Sequence, residues 1–114
     1  MIAVLFEASP AKGKWEEYLE LAAGLRPELS KIEGFISMER FQSIADPEKV
    51  LSLSFWKDEE SLIQWRNIEL HRKAQQEGRN SIFEHYRLRV ATVQRDYGMT
   101  EREQAPDDSN QFHK

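Results

Sequence analysis

A seven-residue segment in the middle of the chain, residues 50–56, alternates between two kinds of uncharged face. One face carries the larger apolar side chains: Leu51, Leu53 and Phe55. The other face carries two serines and a tryptophan: Ser52, Ser54 and Trp56. Because successive side chains of a strand point to opposite sides, this pattern predicts a strand that is buried on both faces. Because serine side chains are small, open space is predicted beside the face that carries them.

A short helix is predicted directly after this strand. Asp58 is a suitable N-cap residue, and two glutamates follow it in the first turn, where the helix dipole favours negative charge. The apolar side of this helix is formed by Leu62, Ile63 and Trp65. His71 follows six residues after Trp65. A strand with a serine face, two tryptophans and a histidine so close together is predicted to form the wall of a pocket.

The alternation typical of strands and the three- to four-residue spacing typical of helices predict the other elements of the chain. A long helix is expected from residue 14 to 32, with a kink or restart at Pro27 and its end at Gly34. The remaining predictions are strands over 2–7, 35–43 and 86–93, a turn at 45–48, and helical pieces over 68–76 and 81–84. In the strand from 35 the alternation places Phe35 and Met38 on opposite faces.

The resulting order, β-α-β-β-α-β, predicts an α+β, ferredoxin-like fold: a four-stranded antiparallel sheet with its helices on one face. The strands nevertheless carry apolar or small residues on both faces. We therefore expect a second subunit to cover the other face, which makes a homodimer. Residues 1–97 are predicted to form this domain. Residues 98–114 are polar, and we expect a C-terminal tail that is disordered or bound to a partner.

Composition narrows the functional classes. The net charge of −4 argues against nucleic acid and anionic membranes as partners. There is no cysteine, which excludes disulfides and thiol catalysis. The first residues show no export signal, so the cytoplasm is the expected location. Three dispersed histidines predict no metal site, and scattered glycines predict no nucleotide cofactor.

Several side chains have both a functional and an ordinary interpretation. His71 is the candidate catalytic group, because imidazole exchanges protons near neutral pH; its alternative is a local hydrogen bond on a helix. The candidate substrate-binding residues are Trp56, Trp65, Phe83, Ser52 and Ser54. For the tryptophans the alternative is core packing. Arg87 and Arg89 share one face of the last strand and need an acid from elsewhere, for which Glu7 is a candidate.

Four features of the sequence resemble the antibiotic biosynthesis monooxygenase family over residues 1–95. They are the order of elements, the turn from Pro10 to Gly13, the Glu33-Gly34-Phe35 segment, and the run from Phe55-Trp56 through Trp65 to His71. The resemblance implies a dimeric α+β barrel in which each subunit keeps a pocket between sheet and helices. It also implies a monooxygenase that needs no cofactor and acts on a small aromatic or quinol-type substrate.

Two alternatives remain from this resemblance. Some members degrade haem with an Asn, a Trp and a His ligand, but here Phe6 and Glu7 stand where the Asn is needed, and Gln75 stands where the His is expected. Trp65 is the one residue of the three that carries over. A non-catalytic dimeric module that binds small molecules is the other alternative.

Overall fold

The computed structural model describes residues 1–77 and 82–112, with the side chains of residues 69–77 left out of the description. The elements follow the predicted order, and the α+β ferredoxin-like fold is confirmed. They are β1 (Ile2–Pro10), α1 (Trp15–Leu29), β2 (Phe35–Gln42), β3 (Val50–Trp56), α2 (Glu59–Glu77), β4 (Phe83–Thr92) and a short α3 (Asp107–Phe112). Within the described ranges, no helix has the length and apolar character needed to cross a bilayer.

The four strands form one antiparallel sheet in the order β2-β3-β1-β4. Its register places residues of all four strands in rows across the sheet. One row runs through Met38, Ser54, Val4 and Val90, and the next runs through Arg40, Ser52, Phe6 and Leu88. Both rows lie on the face covered by α1 and α2. The rows between them face away from the helices.

Three predicted boundaries were wrong. α1 continues through Pro27 and ends at Leu29, with Ser30 as its C-cap, so it does not reach Gly34. The proline is tolerated because only two helical residues follow it, which confines the lost hydrogen bond to the last turn. α2 is one helix, where two pieces were expected. Phe83 belongs to β4 and pairs with Pro10 of β1, so no helical turn forms over 82–84.

The assignment of Phe35 and Met38 to opposite faces was also wrong. A register shift between Phe35 and Ser37 interrupts the pairing of β2 with β3. Such a bulge adds one residue to the strand, so the residues after the bulge point to the faces opposite to those that uninterrupted alternation from Phe35 predicts. Phe35 and Met38 therefore both pack against the core beneath the helices.

The core lies between the sheet and the two long helices. Its centre is Trp56, which is fully buried and packs with residues of β1, α1 and α2: Ile2, Val4, Leu25, Leu29, Leu62 and Trp65. A smaller group at the other end of the sheet consists of Ala8, Tyr18, Val50 and Ile82. The opposite face of the sheet is not covered by either long helix. Its apolar residues are half-buried or exposed: Leu5, Phe41, Leu51, Leu53 and Phe55.

The segment after β4 is organised around Arg102. Its guanidinium donates to the Gly98 carbonyl, to Ser109 Oγ and to Asn110 Oδ1, and it lies 5.1 Å from the centre of the Tyr97 ring. The hydrogen bonds span positions 98 to 110, so they hold a local turn and α3 together.

Candidate functional site

A cavity of about 510 Å³ lies between the sheet and the two helices. A volume of this size accommodates a small organic molecule. The sheet contributes Val4, Phe6, Met38, Arg40, Ser52, Ser54, Phe83, Tyr86, Leu88 and Val90. The helices contribute Tyr18, Leu21, Ala22, Leu25, Leu62, Trp65 and Arg66. The lining is mainly apolar, which suits a substrate with a largely apolar body.

The strand order gives the sheet wall of the cavity a polar half and an apolar half. On β2 and β3, Arg40 lies opposite Ser52, and Met38 lies opposite Ser54. On β1 and β4, Phe6 lies opposite Leu88, and Val4 lies opposite Val90. Because β2 and β4 are the two edges of the sheet, polarity falls from one edge to the other.

Trp56 supports one end of the cavity from behind. Its indole Nε1 donates a hydrogen bond to Ser54 Oγ at 2.9 Å, and its ring stacks on Trp65 with centroids 6.2 Å apart. Trp65 lines the cavity, whereas Trp56 is fully buried and does not. The bond and the stacking therefore fix the orientation of two residues that do line it.

The beginning of α2 is held by Asp58, as predicted. Its Oδ1 accepts from the backbone N–H of Ser61 at 2.9 Å and from Ser61 Oγ at 2.8 Å. These two hydrogen bonds stabilise the carboxylate and lower the pKa of Asp58 below its ordinary value. Gly34 packs against the same serine: its φ is +95°, and a Cβ placed there would collide with Ser61 Oγ. The start of the helix that carries Trp65 is thus fixed against the entry to β2.

The other end of the cavity is aromatic. Tyr18 is 4% exposed, and its ring meets Phe83 edge-on at 5.8 Å. Phe83 in turn contacts Phe6 at 5.5 Å. The Tyr18 hydroxyl is buried, and no described atom forms a hydrogen bond with it. A phenol O–H can both donate and accept, so this group is available to an oxygen of a bound molecule.

The predicted site residues are distributed as follows. Ser52, Ser54, Trp65 and Phe83 come together in the lining of the cavity. Trp56 lies behind that lining. His71 belongs to α2, but its side chain lies outside the described residues.

Four polar lining residues were not predicted: Tyr18, Arg40, Arg66 and Tyr86. Tyr18 is part of the apolar stripe of α1 and gives no separate signal in the sequence. Arg40 gave no separate signal either, because its place in the cavity depends on the register of β2 against β3.

The described lining does not fit a haem iron. It contains no imidazole, and Phe6 contributes a ring where the haem-degrading pattern needs an amide. Among the described side chains there is no group of three or more His, Cys, Asp or Glu that could bind a metal ion. The polar groups that are present are hydroxyls and guanidiniums, which are donors to oxygen atoms of a ligand.

Comparison with known proteins identifies the family and its fold. The family model "Antibiotic biosynthesis monooxygenase" matches residues 1–77. This chain belongs to the antibiotic biosynthesis monooxygenase family. The match covers both long helices and three of the four strands, and it ends with α2. The resemblance inferred from the sequence is confirmed, and proteins of this family are commonly dimeric.

Individual relatives agree with this family. The chain is 47% identical over 93 residues to the "Jasmonate monooxygenase ABM" of Pyricularia oryzae; the match covers 82% of this chain but 43% of the relative. The chain thus spans less than half of that protein. A conserved protein from Methanosarcina mazei has a TM-score of 0.70 at 26% identity, over 82% and 92% of the two chains. A variant of SnoaB, a cofactor-independent oxygenase from Streptomyces nogalater, has the same fold: TM-score 0.68, 8% identity, 83% and 94% coverage.

Proposed function

We propose that this protein is a monooxygenase that binds a small, mostly apolar ring compound in the cavity between sheet and helices. The observation that supports this most directly is the cavity itself, which is lined by residues of all four strands and both long helices and is mainly apolar and aromatic. A purely structural domain of this size gains stability by filling such a space, since a void forfeits packing contacts. The family and the 47% identical relative support the reaction class.

The proposed reaction needs no cofactor. A base removes a proton from an activated ring position, and the resulting carbanion donates electrons to O2. A new C–O bond forms, and loss of water leaves a carbonyl, so that one CH2 group and O2 become C=O and H2O. The protein then has two tasks, which are to move protons and to exclude water. We assign the proton-handling role to His71, and substrate contact to Trp65, Phe83, Ser52 and Ser54 with Trp56 behind them.

A homodimer is part of the proposal. The face of the sheet away from the helices presents partly exposed apolar residues of three strands, among them Leu5, Phe41 and Leu53. Two such faces packed together would remove this surface from water. We further propose a cytoplasmic protein, because a chain without cysteine gains nothing from an oxidising compartment. Residues 98–114 are proposed to be a tail outside the catalytic domain.

The proposed function is tested by placing a larger side chain in the cavity at a position where no side-chain hydrogen bond is lost. Ser52 is buried, lines the cavity and has no hydrogen bond to another described side chain, so Ser52→Leu adds bulk there. Oxygen uptake is measured with hydroxynaphthalenes, anthrone-type quinols and jasmonate, the last because of the relative's name. Wild type is expected to consume O2 with at least one of these compounds. Ser52→Leu is expected to consume O2 at least about tenfold more slowly with the same compound. The control is Ser30→Leu, which adds the same bulk at an exposed site after α1.

Two further measurements separate the alternatives. His71→Ala is expected to abolish O2 uptake while leaving substrate binding, followed by intrinsic tryptophan fluorescence, intact. If wild type binds these compounds but consumes no O2 with any of them, the protein is a binding module and the proposed reaction is wrong. Haemin titration decides the other alternative: a Soret shift in wild type that is lost in His71→Ala would favour haem degradation.

A further inference from the structure

One polar group in the cavity lacks a partner that its chemistry requires. Arg40 lies on β2, on the covered face, directly opposite Ser52 of β3. Its Nε is buried, and within the described part of the chain nothing accepts a hydrogen bond from it. A guanidinium is always charged in proteins and offers five N–H donors, so a buried N–H without an acceptor is costly.

Among the described residues, no carboxylate balances the charge of Arg40. The described residues that line the cavity include two arginines, Arg40 and Arg66, and no carboxylate. The ion pairs found among the described side chains involve other cations: Lys14, Lys49 and Arg89. Glu39 is next to Arg40 in sequence, but strand alternation places it on the opposite face of the sheet. The cavity is thus a mainly apolar space with excess positive charge.

We propose that this cavity is built for a carboxylate-bearing substrate, whose carboxylate is held by Arg40 with Arg66 and Ser52 beside it. The planar guanidinium matches a carboxylate with two parallel hydrogen bonds, and such charge-assisted bonds are about twice as strong as neutral ones. Arg66 is exposed on α2, so it adds charge from the helix side. This inference rests on the proposed function in one respect: it assumes that the cavity is the substrate site.

The rest of the lining defines the remainder of the molecule. From Arg40 the same row of the sheet continues through Phe6 to Leu88, which gives an apolar surface toward the β4 edge. Tyr18 lies among the aromatic residues near Phe83 and provides a buried hydroxyl without a partner among the described residues. The substrate class is therefore an apolar body with a carboxylate at the β2 side and a neutral oxygen, a carbonyl or hydroxyl, that meets Tyr18.

The experiment compares two probes that differ only in charge. 5-Phenylpentanoate and 5-phenylpentanamide have the same length and ring, and binding of each is measured by calorimetry and by intrinsic tryptophan fluorescence. Wild type is expected to bind the carboxylate at least about tenfold more tightly than the amide. Arg40→Met keeps the length of the side chain and is expected to remove this preference while amide binding stays within about threefold. Arg66→Met is expected to reduce the preference by a smaller factor.

The control is Arg26→Met, which removes the same charge from an exposed position of α1 away from the cavity. It should leave the tenfold preference unchanged. Thermal melts show whether each variant is folded, and Arg40→Lys provides a second variant that keeps the charge but loses the planar fork; we expect it to keep only part of the preference. Equal binding of the two probes to wild type would overturn the carboxylate site and leave the proposed function standing. Binding of neither probe would overturn both.

Discussion

The two faces of β3 are opposite in a way that a monomeric protein does not explain. Next to the cavity, the face under the helices carries two small polar residues, Ser52 and Ser54, between Val50 and the fully buried Trp56. The face without cover carries the large apolar residues, Leu51, Leu53 and Phe55. Burial of apolar surface is the main driving force of folding, so a chain folded for stability alone would place large apolar side chains at positions 52 and 54 as well. The covered face thus gives up packing for space, and the uncovered face is suited to association.

The two faces of the sheet also differ in whether their charges are paired. On the uncovered face Glu7 is paired with Lys49 at 3.3 Å and with Arg89 at 3.2 Å, which confirms the predicted role of Glu7 as the acid for Arg89. On the covered face Arg40 has no carboxylate partner among the described residues. Neutralised charge is compatible with an interface between subunits, whereas an unbalanced charge in a cavity is suited to a ligand of the opposite sign.

The largest effect is expected from a charge placed in the uncovered face. Leu53→Asp puts a carboxylate in the middle of the proposed interface, where burial without a partner costs several kcal/mol. We expect the dissociation constant of the dimer to rise by at least about 100-fold, measured by sedimentation velocity across micromolar concentrations.

The matched control is Leu19→Asp on α1, where the leucine is 47% exposed and does not line the cavity. It should leave the dimer intact. A wild-type protein that sediments as a monomer at all these concentrations would contradict the proposed homodimer. The same holds if Leu53→Asp sediments like wild type.

The next largest effect is expected where the start of α2 packs against the entry to β2. Gly34→Ala forces an L-residue into φ +95° and drives its Cβ into Ser61, which the Asp58 cap holds in place. We expect a loss of about 2 kcal/mol or more in the free energy of unfolding, measured in urea. Gly24→Ala is the control, because Gly24 is exposed within α1 and a Cβ there meets nothing within 4 Å. That change should stabilise the protein by about 0.5–1 kcal/mol. Equal effects of the two alanines would refute this account of Gly34.

The sequence predicted the sheet, the helices and the two-sided strand because each depends on local periodicity. It predicted the cap at Asp58 for the same reason, since the capping partner Ser61 is three residues away. Three of the proposed cavity residues, Ser52, Ser54 and Trp65, were found because the serine face of β3 and the apolar side of α2 both point toward the cavity. Phe83 was also named, but it lies on β4 and not in the expected helical turn.

What the sequence did not give depends on long-range register. The bulge after Phe35 adds a residue that no local pattern reveals, and it decides that Phe35, Met38 and Arg40 share the covered face. Arg40 could be recognised as a cavity residue only once its row across β3 and β1 was known. Tyr18 was hidden in a different way, because an apolar stripe on a helix looks the same whether it covers a core or a cavity.

A smaller effect is expected at Tyr18. Its buried hydroxyl has no partner among the described residues, so Tyr18→Phe removes an unsatisfied polar group. We expect the ligand-free protein to gain about 1 kcal/mol in the free energy of unfolding, measured in urea, while it binds the substrate less tightly. Tyr97→Phe is the control, because Tyr97 is 41% exposed and its ring contacts Arg102 in the tail. Destabilisation of the ligand-free Tyr18→Phe protein would mean that the hydroxyl already has a partner.

The smallest effect tests the paired charge of the uncovered face through pH. The hydrogen bond and the charge of Lys49, with a further contribution from Arg89, hold the pKa of Glu7 below its ordinary value of 4.5. A carboxylate with a lowered pKa stabilises the folded state fully above its ordinary pKa, and this contribution disappears as the pH falls through the lowered value. Glu7→Gln should therefore shift the urea midpoint slightly downward at pH 6. At a pH well below the lowered pKa of Glu7, the substitution should cause no shift. Because the carboxylate is exposed in the single chain, added salt should shrink the difference at pH 6, but only in protein diluted to monomer. In the dimer the same pair would lie between two sheets, and the salt dependence should weaken. Identical salt sensitivity at all protein concentrations would show that this face remains in water.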